Sequence, residues 1–298
     1  MDLLGQAASR GDPDALSFLA ELSLAGKIVE RDLPLSRDLF RRAAAAGSVE
    51  GAAAYRAFVA NGTGGLADWR KAVELVGLAA TSDAEAEREL QLILAMALSD
   101  DGSPVGAHVD ERLSDSPNAV MFRSLFTSDE CDFLIECAMP DVQPSRVIDP
   151  NTGELVPNPV RTSDAAGFPL MAERPAIHAL NRRLAAASGT QVGQGEPLQV
   201  LRYRPGQEYR PHFDAIAGAD NQRILTFLVY LNDDYEGGET CFLSSGIKVK
   251  GRKGDALLFR NADAAGRPDP NSQHAGLPVS AGEKLLASRW IRERPLQY

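Results

Sequence analysis

Residues 198–214, LQVLRYRPGQEYRPHFD, decide how this chain is read, because their end sets His212 and Asp214 two positions apart. In a strand, residues i and i+2 leave the same face, so this imidazole and carboxylate point together into whatever the sheet encloses. Two histidines and one carboxylate on one side of an iron(II) ion form a facial triad that leaves three coordination positions open. His274 fits as the third member, in a loop before a final apolar strand over 284–291.

Other patterns accompany the triplet. Tyr203, His212 and Asp214 make Y-x8-H-x-D, and residues 226–242 contain TFLVYLND followed by EGGETCF. The stretch HAGLPVSAGEKLLASRW sets Lys284 ten residues after His274, with Trp290 beyond it, and Arg161-Thr162-Ser163 stands upstream. On these motifs, residues 118–298 resemble the prolyl 4-hydroxylases of the 2-oxoglutarate and iron(II) dependent oxygenase superfamily. That resemblance covers about three-fifths of the chain.

The resemblance implies a dioxygenase that hydroxylates its substrate while 2-oxoglutarate is decarboxylated to succinate and carbon dioxide. It implies iron(II) held by His212, Asp214 and His274, which are then also the catalytic residues, with 2-oxoglutarate and dioxygen as cosubstrates. Tyr203, Thr226 and Lys284 would bind the 2-oxoglutarate, and ascorbate is a candidate auxiliary. Arg161 and Ser163 would donate to a peptide backbone, with Trp290 as an apolar wall for a proline ring. Related halogenases lack the carboxylate that Asp214 supplies, so hydroxylation is favoured. The substrate implied is a prolyl residue in protein; a free amino acid or other small molecule, and a jelly-roll scaffold without catalysis, stand as alternatives.

The residues themselves say why Lys284 matters. Lys284, Leu286, Ser288 and Trp290 share one parity of the final strand, so if Lys284 points inward, Trp290 does too. A buried ammonium without an anion would lose its charge or destabilise the fold, so Lys284 either holds a ligand or is exposed. Residues 224–231 are apolar on both parities and read as a central strand, with Thr226 toward the cavity. Short strands separated by Gly, Pro and Asn dominate from 198 onward, which suits an antiparallel double-sheet jelly roll.

With 298 residues, 44% hydrophobic and 24% charged, the composition is that of an ordinary globular chain long enough for two domains. A formal charge of −10 offers no basic patch for phosphate, which argues against a nucleic-acid partner. The three cysteines, 131, 137 and 241, form neither a CxxC nor a disulfide framework and suit a reducing compartment. The first residues lack a basic region followed by an apolar core, and no apolar run reaches membrane-spanning length, so a cytoplasmic location away from membranes is expected.

Gly11, Gly26, Asp32, Ala43 and Ala44 recur thirty-six residues later as Gly47, Gly62, Asp68, Ala79 and Ala80, so a helical hairpin has been copied. This half resembles Sel-like repeats, relatives of tetratricopeptide repeats, although Leu35-Ser36 replaces the Lys-Ala of that signature in the first copy. A third helix over 84–98 would close the stack. Such stacks present a surface to a protein partner; the alternative is an appendage that only stabilises the catalytic half.

The fold class expected is therefore multidomain α + β: helical repeat hairpins, then a double-stranded β-helix (jelly-roll) catalytic domain with flanking helices. Its boundaries are repeats at 1–99, a polar linker at 100–117 containing a solvated His108, and the oxygenase domain at 118–298. Residues 119–122 read as a strand, and Thr127 with Glu130 as a capping box. A helix over 174–187 buries Ile177, Leu180 and Leu184, leaving His178 on the surface. Residues 145–161 read as an irregular hairpin turning at 151–153, either a loop closing over substrate or a plain edge hairpin.

Overall fold

The computed structural model describes residues 2–106, 109–148, 155–157, 160–263 and 265–297. It divides into two compact units, Met1–Val105 with Phe168–Arg183, and Gly106–Gly167 with Leu184–Tyr298. His108 and the turn at 151–153 lie outside the described residues.

Six helices open the first unit: α1 (Asp2–Ser9), α2 (Pro13–Ala25), α3 (Leu33–Ala45), α4 (Val49–Asn61), α5 (Trp69–Ala79) and α6 (Ala84–Ala95). Their ends follow the copied sequence. Asp12 caps α2 through the Ala15 amide, and thirty-six residues on Ser48 caps α4 through the Gly51 amide; Asp32 and Asp68 do the same for α3 and α5. Gly26 and Gly62 close α2 and α4 at φ of 66° and 80°, which a side chain would strain. Inside the stack Phe40 and Phe58 meet edge-to-face at 5.4 Å, and Gly51 lets helices approach, since a Cβ there would sit 2.7 Å from that of Ala43. Helix α6, the closing helix expected over 84–98, ends at Ala95, three residues early. Helix α1 was not anticipated: its eight residues carry no capping signal, and it is held through buried Ala8 on the repeat core.

Two further helices, α7 (Ser128–Ala138) and α8 (Pro175–Ser188), lie downstream. Helix α7 opens on the Thr127–Glu130 capping box. Before α8, Leu170 and Met171 pack on the repeat core, and Asn61 of α4 donates to the Leu170 carbonyl at 3.0 Å. Ile177, Leu180 and Leu184 are buried as expected. His178 is buried too, which corrects the surface expectation: its Nδ1 lies 3.1 Å from Glu173, and Asn181 donates to the same carboxylate oxygen at 2.7 Å. A one-stripe reading fails where polar side chains satisfy each other on a second buried face. No described helix is long and apolar enough to cross a membrane.

The second unit contains β1 (Asp110–Asp115), β2 (Asn118–Phe122), β3 (Gln143–Pro144), β4 (Arg146–Ile148), β5 (Leu155–Pro157), β6 (Asp164–Gly167), β7 (Gln199–Tyr203), β8 (Tyr209–His212), β9 (Arg223–Tyr230), β10 (Glu236–Gly237), β11 (Thr240–Phe242), β12 (Lys248–Val249), β13 (Ala256–Arg260), β14 (His274–Gly276), β15 (Val279–Ala281) and β16 (Lys284–Arg292). The large sheet runs β1-β2-β13-β9-β16-β7-β6-β3 and the small one β12-β11-β14-β8, with β10-β15 and the hairpin β4-β5 as separate pairs. Met121, Leu228, Leu257 and Leu286 of the large sheet share one core with Phe242 and Val249 of the small one, so the two sheets face each other as a jelly roll. Strand β9 is central, between β13 and β16, as its two-sided apolarity requires. Strand β1 lies inside the expected linker; as a mostly exposed edge strand it has no apolar alternation to betray it.

Candidate active site

Register assembles the site. On the small sheet His274 pairs with His212, and on the large sheet Lys284 pairs with Tyr203 and Trp290 with Thr226. His274 therefore sits in a short strand, not the loop expected from its Gly- and Pro-rich surroundings. Between β8 and β14, residues 209–212 oppose only 274–276, so β8 carries one extra residue. This bulge turns Tyr209 inward, and its ring stacks on His212 at 3.4 Å between centroids. Sequence parity alone misses Tyr209; Pro211 within the strand is the one hint of a bulge.

His212, Asp214 and His274 each offer one ligand atom, all within 4.8 Å of one another. Both imidazoles are pre-set: Nδ1 of His212 donates to the Arg210 carbonyl at 2.8 Å and Nδ1 of His274 to the Ser272 carbonyl at 2.9 Å. This turns each Nε2 inward as the ligand atom, 3.6 Å from an Asp214 oxygen. Burial pushes His274 down to about 4, against the pull of Asp214. Burial would raise the Asp214 carboxyl, but His274, His212 and the Thr226 hydroxyl outweigh it and hold it well below the usual carboxylate range. Two imidazoles and an ionised carboxylate converging on one point are the donor set that iron(II) takes in a facial triad, so the residues fit the metal.

The same trio lines a cleft of about 410 Å³, open mouth included, together with Arg161, Tyr203, Tyr209, Lys284 and Trp290. Lys284 is 3% exposed, which removes the exposed-lysine reading. Its ammonium donates to the Gly238 carbonyl at 2.6 Å, and among the described residues no carboxylate forms an ion pair with it. Burial pushes it down to about 8, Glu239 pulling the other way. A buried ammonium facing a cleft fits the distal carboxylate of a keto diacid. Tyr203, beside it, is pushed up to about 12 by burial, and its hydroxyl meets Ser163.

Two of the expected binding residues lie behind the cleft lining. Thr226 is fully buried and its hydroxyl donates to Asp214 at 2.7 Å, which steadies the carboxylate. Ser163 is also fully buried, its side chain turned to Tyr203 and Ser145. There it supports Tyr203. Arg161 lies over the Tyr209 ring at 5.7 Å, and Trp290 is backed by the Arg223 guanidinium at 3.8 Å, itself gripped by Glu196 at 2.7 and 2.8 Å.

A jelly roll that gathers two histidines and a carboxylate beside a buried lysine defines a 2-oxoglutarate and iron(II) dependent oxygenase. The model of the 2OG-Fe(II) oxygenase superfamily matches residues 198–292. The chain is 39% identical over 210 residues to prolyl 4-hydroxylase 1 of Arabidopsis thaliana, covering 64% of this chain and 74% of that protein. It is also similar to the viral collagen prolyl hydroxylase of Paramecium Bursaria Chlorella virus-1, solved as its 2OG complex, at 30% identity over 60% of this chain and 98% of that one, with a TM-score of 0.49. A Sel1 repeat protein from Oxalobacter formigenes is similar at 31% identity over 30% of this chain and 67% of its own, with a TM-score of 0.27. The chain belongs to the prolyl 4-hydroxylase family, and it is an iron(II) and 2-oxoglutarate dependent dioxygenase.

Proposed function

We propose that this enzyme hydroxylates a prolyl residue within a protein or peptide, and that its helical repeats, residues 1–99, recruit the protein that carries it. His212, Asp214 and His274 hold the iron, Lys284 and Tyr203 the 2-oxoglutarate, and Arg161 and Trp290 face the substrate. Bound iron(II) supplies, with 2-oxoglutarate and dioxygen, the oxidising power to hydroxylate an unactivated C–H bond. The protein's share is positional. Lys284 neutralises the distal carboxylate, Tyr209 and two backbone carbonyls fix the imidazole planes, and Trp290 offers an apolar wall.

One observation carries the preference for a peptide over free proline. Asp214 is the cleft's one described acidic side chain, and it belongs to the metal trio. The ammonium of a free amino acid would be desolvated there with no carboxylate to meet it, whereas a peptide nitrogen brings no charge. Exposed apolar side chains next to site residues, Val160, Phe213 and Leu243, suit a chain laid across the mouth. Ile28 and Leu66, exposed in the two hairpin turns of the repeats, suit a docked protein. Cys131, Cys137 and Cys241 form no disulfide, which favours the cytoplasm.

Succinate release, measured with iron(II) and 2-oxoglutarate, is expected to rise with a proline-rich peptide and not with free proline, and mass spectrometry should find one added oxygen on proline. Stimulation by free proline alone would reverse the assignment. For the cosubstrate, Lys284→Ala is expected to raise the 2-oxoglutarate requirement by about 10- to 100-fold, the worth of a hydrogen bond to a charged group. In the unmodified enzyme the ammonium is lost as pH rises through about 8. The specificity constant for 2-oxoglutarate should then be level below that pH and fall above it. The linked stability has the opposite sign: from about pH 8 to the ordinary lysine value of 10.5 the unfolded chain holds the proton that the fold has released, so the unliganded fold gains stability as pH rises.

A further inference from the structure

Two of the three metal-ligand side chains trace back to one residue that does not line the cleft. Asn261 follows β13 and is fully buried. Its Nδ2 donates to Thr226 Oγ1 at 2.8 Å, and Thr226 Oγ1 donates to Asp214 Oδ2 at 2.7 Å. The direction of this relay is forced by chemistry. The amide nitrogen has only hydrogens to give, so Thr226 accepts from it and keeps its single proton for the carboxylate. The other amide orientation would ask one hydroxyl proton to serve two acceptors.

The backbone of Asn261 reaches the second ligand. Its amide donates to the Ile224 carbonyl at 2.8 Å and its carbonyl accepts from the Asp269 amide at 2.9 Å, while the Asp269 carbonyl accepts from Ser272 Oγ at 2.7 Å. Ser272, in turn, gives its own carbonyl to Nδ1 of His274. Asn261 Oδ1 is buried with no protein partner, so the side chain is held by its donor end.

We propose that Asn261 is a positioning residue for the metal centre, orienting the Asp214 carboxylate through Thr226 so that one oxygen is held back and the other is presented to the ion. This rests on the reading that His212, Asp214 and His274 bind the metal. With Oδ2 taken by Thr226, Asp214 binds through a single oxygen and leaves the remaining positions to 2-oxoglutarate and dioxygen. Without the relay the carboxylate is free to rotate and close on the ion through both oxygens.

The test uses the full-length protein and cobalt(II) alone, titrated by calorimetry and by its visible spectrum, which reports coordination number independently of turnover. Asn261→Leu, of similar size without a donor, is expected to weaken cobalt(II) binding by about 10- to 100-fold, the usual effect of losing an outer partner of a ligand, and to change the spectrum. Thr226→Val should do the same, and the double variant should be no worse than either single one, because both cut one relay. Additive losses, or unchanged affinity and spectrum in Asn261→Leu, would overturn the proposal. Should Asn261→Leu fail to fold, Thr226→Val against Thr226→Ser decides: weak binding in the first with rescue by the retained hydroxyl supports the relay, and equal binding in the two removes it. Failure of the unmodified protein to bind cobalt(II) would instead sink the metal reading itself, and the proposal with it.

Discussion

Replacing His274 by alanine is expected to abolish the visible absorption band that forms when the protein is mixed anaerobically with iron(II) and 2-oxoglutarate, and to stop succinate formation. His274 is 4% exposed and lowered to about 4, so near neutral pH it is an imidazole with a lone pair ready and no proton to lose on binding. Its ring orientation costs nothing at that moment, because Ser272 already holds Nδ1. Removing it leaves one imidazole and one carboxylate, and the affinity loss should exceed the roughly 100-fold upper range for outer-shell changes. The ring also packs against Phe259 at 4.7 Å, so alanine opens a small void in the core. His274→Gln, which fills more of that void, separates loss of a ligand from loss of packing. An undiminished band in both variants would remove His274 from the metal trio.

How far this site was legible depends on which residues obey a simple period. Lys284 and Trp290 were readable because a strand alternates faces, and the register of β16 against β7 and β9 keeps that alternation, whereas β8 ends at His212 and Asp214 joins the trio from beyond the strand. The copied hairpin was readable because its caps are local: an aspartate or serine before a helix and a glycine after it need no knowledge of the fold. Tyr209 was not, since one extra residue in β8 turns its side chain onto a face that parity assigns to its neighbours. The bond from Thr226 to Asp214 was not legible either. A hydroxyl's choice between a carboxylate and a ligand depends on Asp214 and Asn261, twelve and thirty-five residues away. His178 and Glu89 escaped for a related reason, because polar groups bury themselves only in matched sets that no periodicity announces.

Glu89 gives the largest stability effect expected outside the site. It lies on α6 with no exposed surface, accepts from the Ala176 amide in the first turn of α8 at 3.0 Å, and pairs with Arg174 Nε at 3.1 Å. Nearby Arg56 is 8% exposed; burial lowers its affinity for its proton and the charge of Glu89 works against that. Glu89→Ala would strand the helix-terminal N–H of Ala176, take its buried partner from Arg174 Nε and remove the charge that offsets the burial of Arg56, a change that costs about 3–5 kcal/mol when one partner of a buried pair is removed. Glu89→Gln keeps an acceptor for the amide and should lose less. The exposed pair Arg70–Asp100, by contrast, should contribute about 0–1 kcal/mol and tolerate Asp100→Ala. Urea denaturation compares the three directly, as the shift in midpoint at constant slope. The consequence reaches function: Phe168–Arg183 lies beyond the expected linker, yet Glu89, Asn61 and the core under Leu170 and Met171 anchor it to the repeats. If the repeats were a detachable recruiting arm, Glu89→Ala would leave the rest of the chain as stable as before. A single early unfolding transition that also takes away 2-oxoglutarate turnover is the result expected if they are part of the enzyme's frame.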